Sequence, residues 1–267
     1  ETSWDFNENE LVRLFKANGC GDSLEETLNA FIAEWTAKFF ELHRNEEDLN
    51  DQFINIYGLQ NELTKVVPLN EVTILQQKEK DIENGQLKWN KDVIIKQLVS
   101  YAIGCMMGRY RLDRTGLNVA HPNPSAEETA NYVVNGDIFS IDDDGIIPLL
   151  PRDCPFNDNA VNRVEDFIRL VFGEQNYKDN INFVNAQLGS IEDYLTKNTK
   201  GFWADHTQMY QKTPIYWLFS SKKGAFKCLV YMHRMTQFTA RDVRDKYLLK
   251  YIDFLRNMIA PLEAQEA

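Results

Sequence analysis

An amphipathic stripe near the N-terminus constrains the fold of this chain more than any other feature of the sequence. Ser23 and Glu26 form the S-x-x-E pattern that opens a helix, because each side chain bonds a free backbone N–H of the other residue. The apolar positions that follow are Leu24, Leu28, Phe31, Ile32, Trp35, Phe39 and Leu42. Spacings of three and four residues place them on one helical face, which must be buried against other elements. The sequence therefore predicts a helical core region.

Further elements follow the first helix, which we expect to reach about Arg44. Asn45 favours the start of a second helix over residues 46–57, and Gly58 is typical of a helix end. Residues 64–75 are rich in β-branched side chains and are predicted to be extended, with a polar linker over residues 76–91.

The middle of the chain combines one strong helix with irregular sequence. Residues 92–111 are predicted to be helical, with Arg109 and Arg111 in the last turn, where the helix dipole favours cations. Gly104 and Gly108 in this helix indicate close packing or a bend. Residues 112–162 read as irregular, apart from a short helix predicted from Ser125 to about Val134.

The remaining sequence predicts helices at both ends of a β-hairpin. The helices are expected at residues 162–172, 177–188, 190–196 and from Thr239 to about Met258. The hairpin pairs residues 215–219 with residues 226–232 across the turn Lys222-Lys223-Gly224. We therefore predict a mainly α, α+β fold: a helical domain with a small C-terminal β-hairpin or sheet element.

Charge divides the chain into two regions. Residues 1–196 hold 17 Lys and Arg against 34 Asp and Glu, a net charge of −17, whereas residues 197–256 hold 12 against 4, a net charge of +8. We predict an acidic, mainly helical region over residues 1–196 and a basic region over residues 197–267, packed as one unit. Either the basic region meets a phosphate backbone, or the two regions attract each other.

Motifs for catalysis are missing from the sequence. It holds no G-x-x-x-x-G-K-[ST] or G-x-G-x-x-G phosphate loop, no G-x-S-x-G elbow, and no N-P-P-Y-like loop for gripping a flipped base. We therefore predict no catalytic and no cofactor-binding residue in this chain.

Metal sites are not predicted either. The four histidines form no H-x-x-x-H pair, and the four cysteines form no C-x-x-C pair, so we expect reduced, structural thiols. Asp142 to Gly145 do not match a calcium-binding loop, and we expect a solvated turn there, paired with a nearby arginine.

Apolar runs are too short for a membrane helix of about 20 residues, which predicts a cytoplasmic protein without membrane contact. The chain begins with Glu1 rather than Met, and we interpret it as a piece of a longer protein.

Interleaved aromatic and basic residues at 200–234 point to nucleic acid, because such mixtures can follow a phosphate backbone. The other interpretation is that the aromatic side chains fill a core while the lysines are solvated. The candidate DNA-contacting residues are Lys212, Lys222, Lys223, Lys227, Arg234, Arg241 and Arg244.

Several strings resemble the PglX family of adenine-specific DNA methyltransferases from BREX phage-defence systems. They occupy residues 1–6, 50–63 (NDQFINIYGLQNEL), 100–117 (SYAIGCMMGRYRLDRTGL), 141–149 (IDDDGIIPL) and 213–234 (TPIYWLFSSKKGAFKCLVYMHR). Restriction enzymes that fuse a methyltransferase to a nuclease share some of them. The resemblance implies a parent protein that methylates the N6 amine of adenine with S-adenosylmethionine, and a catalytic core preceding residues 1–6.

Two functions remain open for such a segment. In the first, the segment positions double-stranded DNA or acts as a scaffold for the methyltransferase of a phage-defence or restriction-modification system. In the second, it docks other defence-system proteins without touching DNA. The first alternative requires phosphate contacts that hold the duplex while a base is flipped.

Overall fold

Helices form most of the structure, a computed structural model that describes residues 1–3, 5–19, 21–73, 78–197 and 200–266, with side chains to residue 259. The helices are α1 (Glu10–Ala17), α2 (Leu24–Tyr57), α3 (Lys91–Met106), α4 (Ala160–Phe172), α5 (Tyr177–Leu188), α6 (Ile191–Thr196), α7 (Phe202–Met209), α8 (Thr239–Asp242) and α9 (Leu249–Glu266). A π-helical segment, Val243–Leu248, joins the last two.

Short antiparallel strands complete the architecture. They are β1 (Lys80–Glu83), β2 (Gln86–Trp89), β3 (Tyr132–Val134), β4 (Asp137–Phe139), β5 (Ile146–Pro148), β6 (Tyr216–Ser220) and β7 (Lys227–Tyr231). The predicted mainly α, α+β class is confirmed, as are the helices near residues 162–196 and the hairpin of β6 and β7. Within the described residues no helix is long and apolar enough to cross a bilayer.

The long helix α2 begins and ends as its sequence predicts. Ser23 Oγ accepts the Glu26 N–H at 3.2 Å, and Glu26 Oε2 accepts the Ser23 N–H at 2.7 Å. Gly58 ends the helix in the left-handed region, with a φ of 69°. The predicted break at Asn45 is wrong, because helical hydrogen bonding continues through this exposed residue. A capping residue starts a new helix only where the preceding turn is broken.

Residues 64–73 form no strand, so the extended prediction is wrong for them, while Ile74 and Leu75 lie outside the described residues. Side chains of α2 replace a strand partner here. Glu47 accepts the Val67 N–H at 3.2 Å, and Glu46 accepts the Thr73 N–H at 3.3 Å. These bonds satisfy backbone donors that a β-ladder would otherwise use.

The polar linker predicted for residues 76–91 is wrong for residues 78–91, because β1 and β2 form a hairpin there. Gln76 and Gln77 lie outside the described residues. The turn residues Asn84 and Gly85 have φ values of 52° and 77°. Asn-Gly is the preferred pair for a two-residue hairpin turn, because both positions need a positive φ. The sequence carried this indication.

The same Asn-Gly turn, at Asn135 and Gly136, joins β3 to β4. The helix predicted from Ser125 to Val134 is therefore wrong. The bonds of its capping box do form, with Ser125 donating to Glu128 Oε2 at 2.7 Å, but they close only a turn. Pairing of Tyr132–Val134 with β4 takes precedence over the local helix start.

Helix α3 lies in the middle of the core and is buried from Leu98 to Met106. It packs against α4, α5 and α7. The helix ends earlier than predicted, because Gly108 turns the chain at a φ of 80°. Arg109 and Arg111 therefore lie beyond the helix rather than in its last turn, and both are buried.

A three-stranded sheet with the order β5-β7-β6 connects two cores. Side chains alternate along the central strand β7. Leu229 and Tyr231 face the main core, whereas Cys228 and Val230 face a second cluster that contains Tyr247 and Tyr251. All five residues of β7 are buried as a result. Because β5 precedes residue 196 and β7 follows it, the sheet joins the acidic and the basic regions.

Replacing Gly104 with alanine tests the close packing inside α3. An added Cβ would lie 2.5 Å from Tyr110 Cδ2, so Gly104→Ala should destabilise the chain by about 1–3 kcal/mol, despite the helical preference for alanine. Urea denaturation measures the effect. Gly21→Ala is the control, since nothing lies within 4 Å of its added Cβ. Equal stability of both variants would contradict the packing argument.

Candidate nucleic-acid interface

The turn between β6 and β7 presents two of the predicted cations to solvent. Lys222 and Lys223 are both exposed. The turn that carries them is closed by backbone bonds from Ser221 N to Phe226 O and from Gly224 N to Ser221 O, each 2.9 Å long. Gly224 supplies the positive φ of 73° that this turn requires. Both ammonium groups are thus carried on a well-defined turn.

Three further predicted cations are exposed elsewhere on the basic region. Lys212 precedes β6, and its backbone N–H donates to Thr207 O at 2.8 Å. Arg241 lies in α8 with its guanidinium 4.6 Å from the ring centre of Phe238. Arg244 lies in the following π-helical segment and bonds Asp245 at 2.6 Å. Exposed pairs of this kind contribute at most about 1 kcal/mol, so phosphate can replace the carboxylate.

The other two predicted cations are used inside the protein. Lys227 is buried, donates from Nζ to the Thr196 carbonyl oxygen, and has its pKa lowered by burial. Arg234 donates to the carbonyl oxygens of Asp142 and Asp143 at 2.5 and 2.7 Å, and burial lowers its pKa too. Their hydrogen bonds fix the local backbone, and Lys227 is buried while Arg234 is half-buried, so the remaining five cations are the more exposed ones.

These five exposed residues, Lys212, Lys222, Lys223, Arg241 and Arg244, are called the basic surface below. Along the chain, Lys212 precedes the five-residue strand β6, the turn lysines follow it, and the two arginines come after β7. At about 3.4 Å per residue the first and last Cα atoms of β6 lie about 14 Å apart.

Attraction between the acidic and basic regions explains part of the charge asymmetry. Lys246 pairs with Asp144 at 2.9 Å, and Lys197 pairs with Asp193 at 3.2 Å. The turn lysines take no part in it, because neither Lys222 nor Lys223 forms an ion pair with any described residue. The turn therefore retains an uncompensated positive charge.

Most aromatic side chains of the basic region fill the core, as the second interpretation expected. Phe202, Tyr216 and Tyr231 are fully buried. Trp217 and Phe238 differ, with exposed fractions of 52% and 47%, and the strand position of Trp217 points away from the main core. Trp217 thus adds an exposed aromatic ring on β6, the strand that leads into the lysine turn.

The acidic turn at Asp142 is a buried structural element and not the solvated turn that the sequence predicts. Asp142 Oδ1 accepts the N–H groups of Asp144, Gly145 and Ile146 at 3.2, 2.6 and 3.1 Å. The predicted arginine is Arg234. Burial, with the neighbouring Asp144 and Asp158, raises the pKa of Asp142 to about 7. Among the described residues no His, Cys, Asp and Glu cluster could hold a metal ion.

A buried polar network was not anticipated from the sequence. Arg109 donates to the hydroxyl oxygens of Tyr110 and Tyr231 at 3.1 and 3.3 Å. His206 packs among aromatic rings, 4.7 Å from Tyr216 and 4.8 Å from Tyr210. Neither ring nitrogen of His206 has a hydrogen-bond partner among the described residues. No local pattern reveals such a network, since its members are distant in sequence.

Asp205 and His206, which are adjacent in α7, point in different directions. Asp205 accepts the hydroxyl of Tyr194 at 3.1 Å, whereas His206 is turned into the core. Three cysteines are free thiols: Cys105, Cys154 and Cys228. Cys20 lies outside the described residues, and so does Trp4, which belongs to the first string that resembles the PglX family.

Comparison with known proteins gives relatives over nearly the whole chain. The adenine-specific methyltransferase BrxX of Escherichia coli O9:H4 (strain HS) is 34% identical over 93% of this chain. The adenine-specific methyltransferase PglX of Lacticaseibacillus casei (strain Zhang) is 32% identical, also over 93% of it. The resemblance to PglX-type methyltransferases is confirmed. No family model matches the sequence.

The chain spans about a fifth of the length of these relatives, 21% of BrxX and 20% of PglX. It is similar to one segment of a PglX-type protein. The similarity therefore concerns this segment, and it does not by itself assign the activity or the substrates of a whole PglX-type protein to this chain.

Asp142→Asn tests the buried turn of this chain. Because its folded pKa of about 7 exceeds the unfolded value of 3.8, Asp142 stabilises the fold at acidic pH, and that stability is lost as pH rises from about 4 to 7. Relative to the variant, the wild-type free energy of unfolding should fall by at most about 4 kcal/mol between pH 4 and 8. Urea denaturation at each pH measures it, with exposed Asp143→Asn as control. A constant difference would mean that the three N–H donors keep the carboxyl ionised.

His206→Phe tests the aromatic cluster of the same segment. Burial, and secondarily Arg109, lower the pKa of His206 to about 3, so the folded state requires a neutral ring. The neutral imidazole of His206 makes its full contribution to the free energy of unfolding above pH 6.5. That contribution is lost as the pH falls from 6.5 towards 3. When the pH is lowered from 7 to 5, the free energy of unfolding of the variant should rise by about 2 kcal/mol relative to that of the wild type. Thermal unfolding at both values measures the gain, and no pH-dependent difference would show that His206 is protonated or solvated in the folded chain.

Proposed function

We propose that this chain is a non-catalytic segment that positions DNA for an adenine-specific N6 methyltransferase of the PglX type, in phage defence or restriction-modification. The observation that carries the proposal is similarity over 93% of the chain to two adenine-specific methyltransferases. The chain itself holds neither a glycine-rich loop for the methyl donor nor an N-P-P-Y-like loop. We therefore assign S-adenosylmethionine and the reacting base to a core outside these residues.

The basic surface supports contact with the phosphate backbone. Flipping a base requires that the duplex be held in register, and phosphate contacts provide that without reading sequence. Lys222 and Lys223 lie in the hydrogen-bonded turn that leads into β7, a strand buried on both faces, so their backbone is fixed before binding. Fixed cations lose less entropy on binding than cations on a mobile loop. Double-stranded DNA in the cytoplasm is the partner that we propose for this surface.

Charge reversal at the turn tests the proposal. In the full-length protein that contains this chain, Lys222→Glu with Lys223→Glu should weaken binding to a short DNA duplex. It should also reduce the slope of log affinity against log salt by about 2, since each lost phosphate contact reduces it by about 0.9. Fluorescence anisotropy over a salt series measures both. Lys227 is left unchanged, because its burial would confound folding with binding.

The matched control is Lys65→Glu with Lys178→Glu, two exposed lysines of the acidic region that give the same change in net charge. The control should leave the salt slope unchanged, since it alters only the long-range field. Equal binding by both double variants at low salt would refute the DNA-positioning role. That result would favour the alternative, a module that docks other defence-system proteins.

A further inference from the structure

The apolar face of α2 extends well beyond the part that the described structure covers. Leu28 and Phe31 of this face are buried in the main core. At about 100° per residue, Leu49, Phe53 and Ile56 lie on the same side of the helix, within roughly 80° of Leu28 and Phe31. Leu49, Phe53, Ile56 and Tyr57 are 52%, 56%, 73% and 69% exposed, and they are called the open stripe below.

No described residue is placed to cover the open stripe. Residues 64–73 run beside the open stripe, with Val67 bonded to His43 and Glu47 and with Thr73 bonded to Glu46. They nevertheless leave all four side chains of the open stripe more than half exposed. Within the open stripe the rings of Phe53 and Tyr57 stack on each other at 6.4 Å. A row of large apolar side chains that continues a buried face is typical of a site for another element.

Charge limits the chemistry of the element that covers it. Residues 41–63 hold six acidic side chains, Glu41, Glu46, Glu47, Asp48, Asp51 and Glu62, against one basic side chain, Arg44. Apolar anchors at positions i, i+4, i+7 and i+8 suit a second helix packed lengthwise. Its complement is an apolar stripe flanked by Lys or Arg.

Chain length indicates where such a helix comes from. The matched segment makes up 21% and 20% of the two relatives, so about four fifths of such a protein lies outside it. An element of the same polypeptide is held near α2 at a high effective concentration, which a separate protein lacks.

We propose that the open stripe is an intramolecular docking surface for a basic amphipathic helix from the part of the full-length protein outside residues 1–267. The surface is distinct from the basic surface, and its role does not depend on DNA binding.

Site-specific photo-crosslinking in the full-length protein tests this proposal. The crosslinking residue p-benzoylphenylalanine is placed at Phe53 or, as control, at Asp48, which is exposed on another side of the same helix. A mixture of ¹⁴N- and ¹⁵N-labelled protein separates crosslinks within one chain from those between chains. We expect position 53 to give a crosslink within one chain to a Lys- and Arg-rich helical segment beyond residues 1–267, and position 48 to give none.

A second variant separates docking from folding. Leu49→Glu with Ile56→Glu should abolish the crosslink from position 53 while the circular dichroism of the protein stays unchanged, because both side chains are exposed. A crosslink only between labelled and unlabelled chains would overturn the proposal in favour of a second copy. Equal yields at positions 53 and 48, or a crosslink that survives the double substitution, would also overturn it.

Discussion

The buried guanidinium of Arg109 connects parts of the chain that nothing local would bring together. Its side chain donates to Tyr110 and to Tyr231 of β7, and its backbone N–H donates to Gly104 at the end of α3. Tyr231 in turn donates to the carbonyl oxygen of Val119. A buried cation is tolerated only where its donors are satisfied, so helix end, loop and sheet must keep this arrangement together. Gly104 provides the space, since Tyr110 lies against it.

The central sheet determines which cations reach solvent. Strand β7 is covered by the main core on one face and by the cluster containing Tyr247 and Tyr251 on the other. A lysine within that strand must turn inward, as Lys227 does, whereas lysines in the turn beyond it remain exposed. The same sheet also holds β5, whose preceding turn is bonded by Arg234. Basic residues of one sequence region thus divide between structural and surface positions.

Helix α2 shows a different balance between burial and exposure. Its N-terminal half is fixed by α1 and α5, while its C-terminal half is bonded mainly to residues 64–73 through Glu46 and Glu47. The apolar face of α2 nevertheless continues from the buried N-terminal half into the exposed open stripe. An acidic helix with an open apolar side and a basic hairpin turn give this chain two chemically opposite surfaces.

The sequence by itself determined the features that depend on neighbouring residues: the capping box at Ser23, the end of α2 at Gly58, the hairpin of β6 and β7, and the resemblance to PglX-type proteins, which the relatives confirm. The Asn-Gly turns at residues 84–85 and 135–136 were equally local, although the charged and mixed sequence around them obscured the strands.

Tertiary structure alone decided which polar groups are buried. Asn45 reads as a cap, yet α2 continues through it, and the capping box at Ser125 closes only a turn because β3 pairs with β4. Lys227 and Asp142 look like surface charges in sequence and become buried, and the half-buried Arg234 is bonded to the backbone of the Asp142 turn. Their environment is formed by residues distant in the chain, so desolvation and hydrogen bonding there are properties of the folded chain and not of any local pattern.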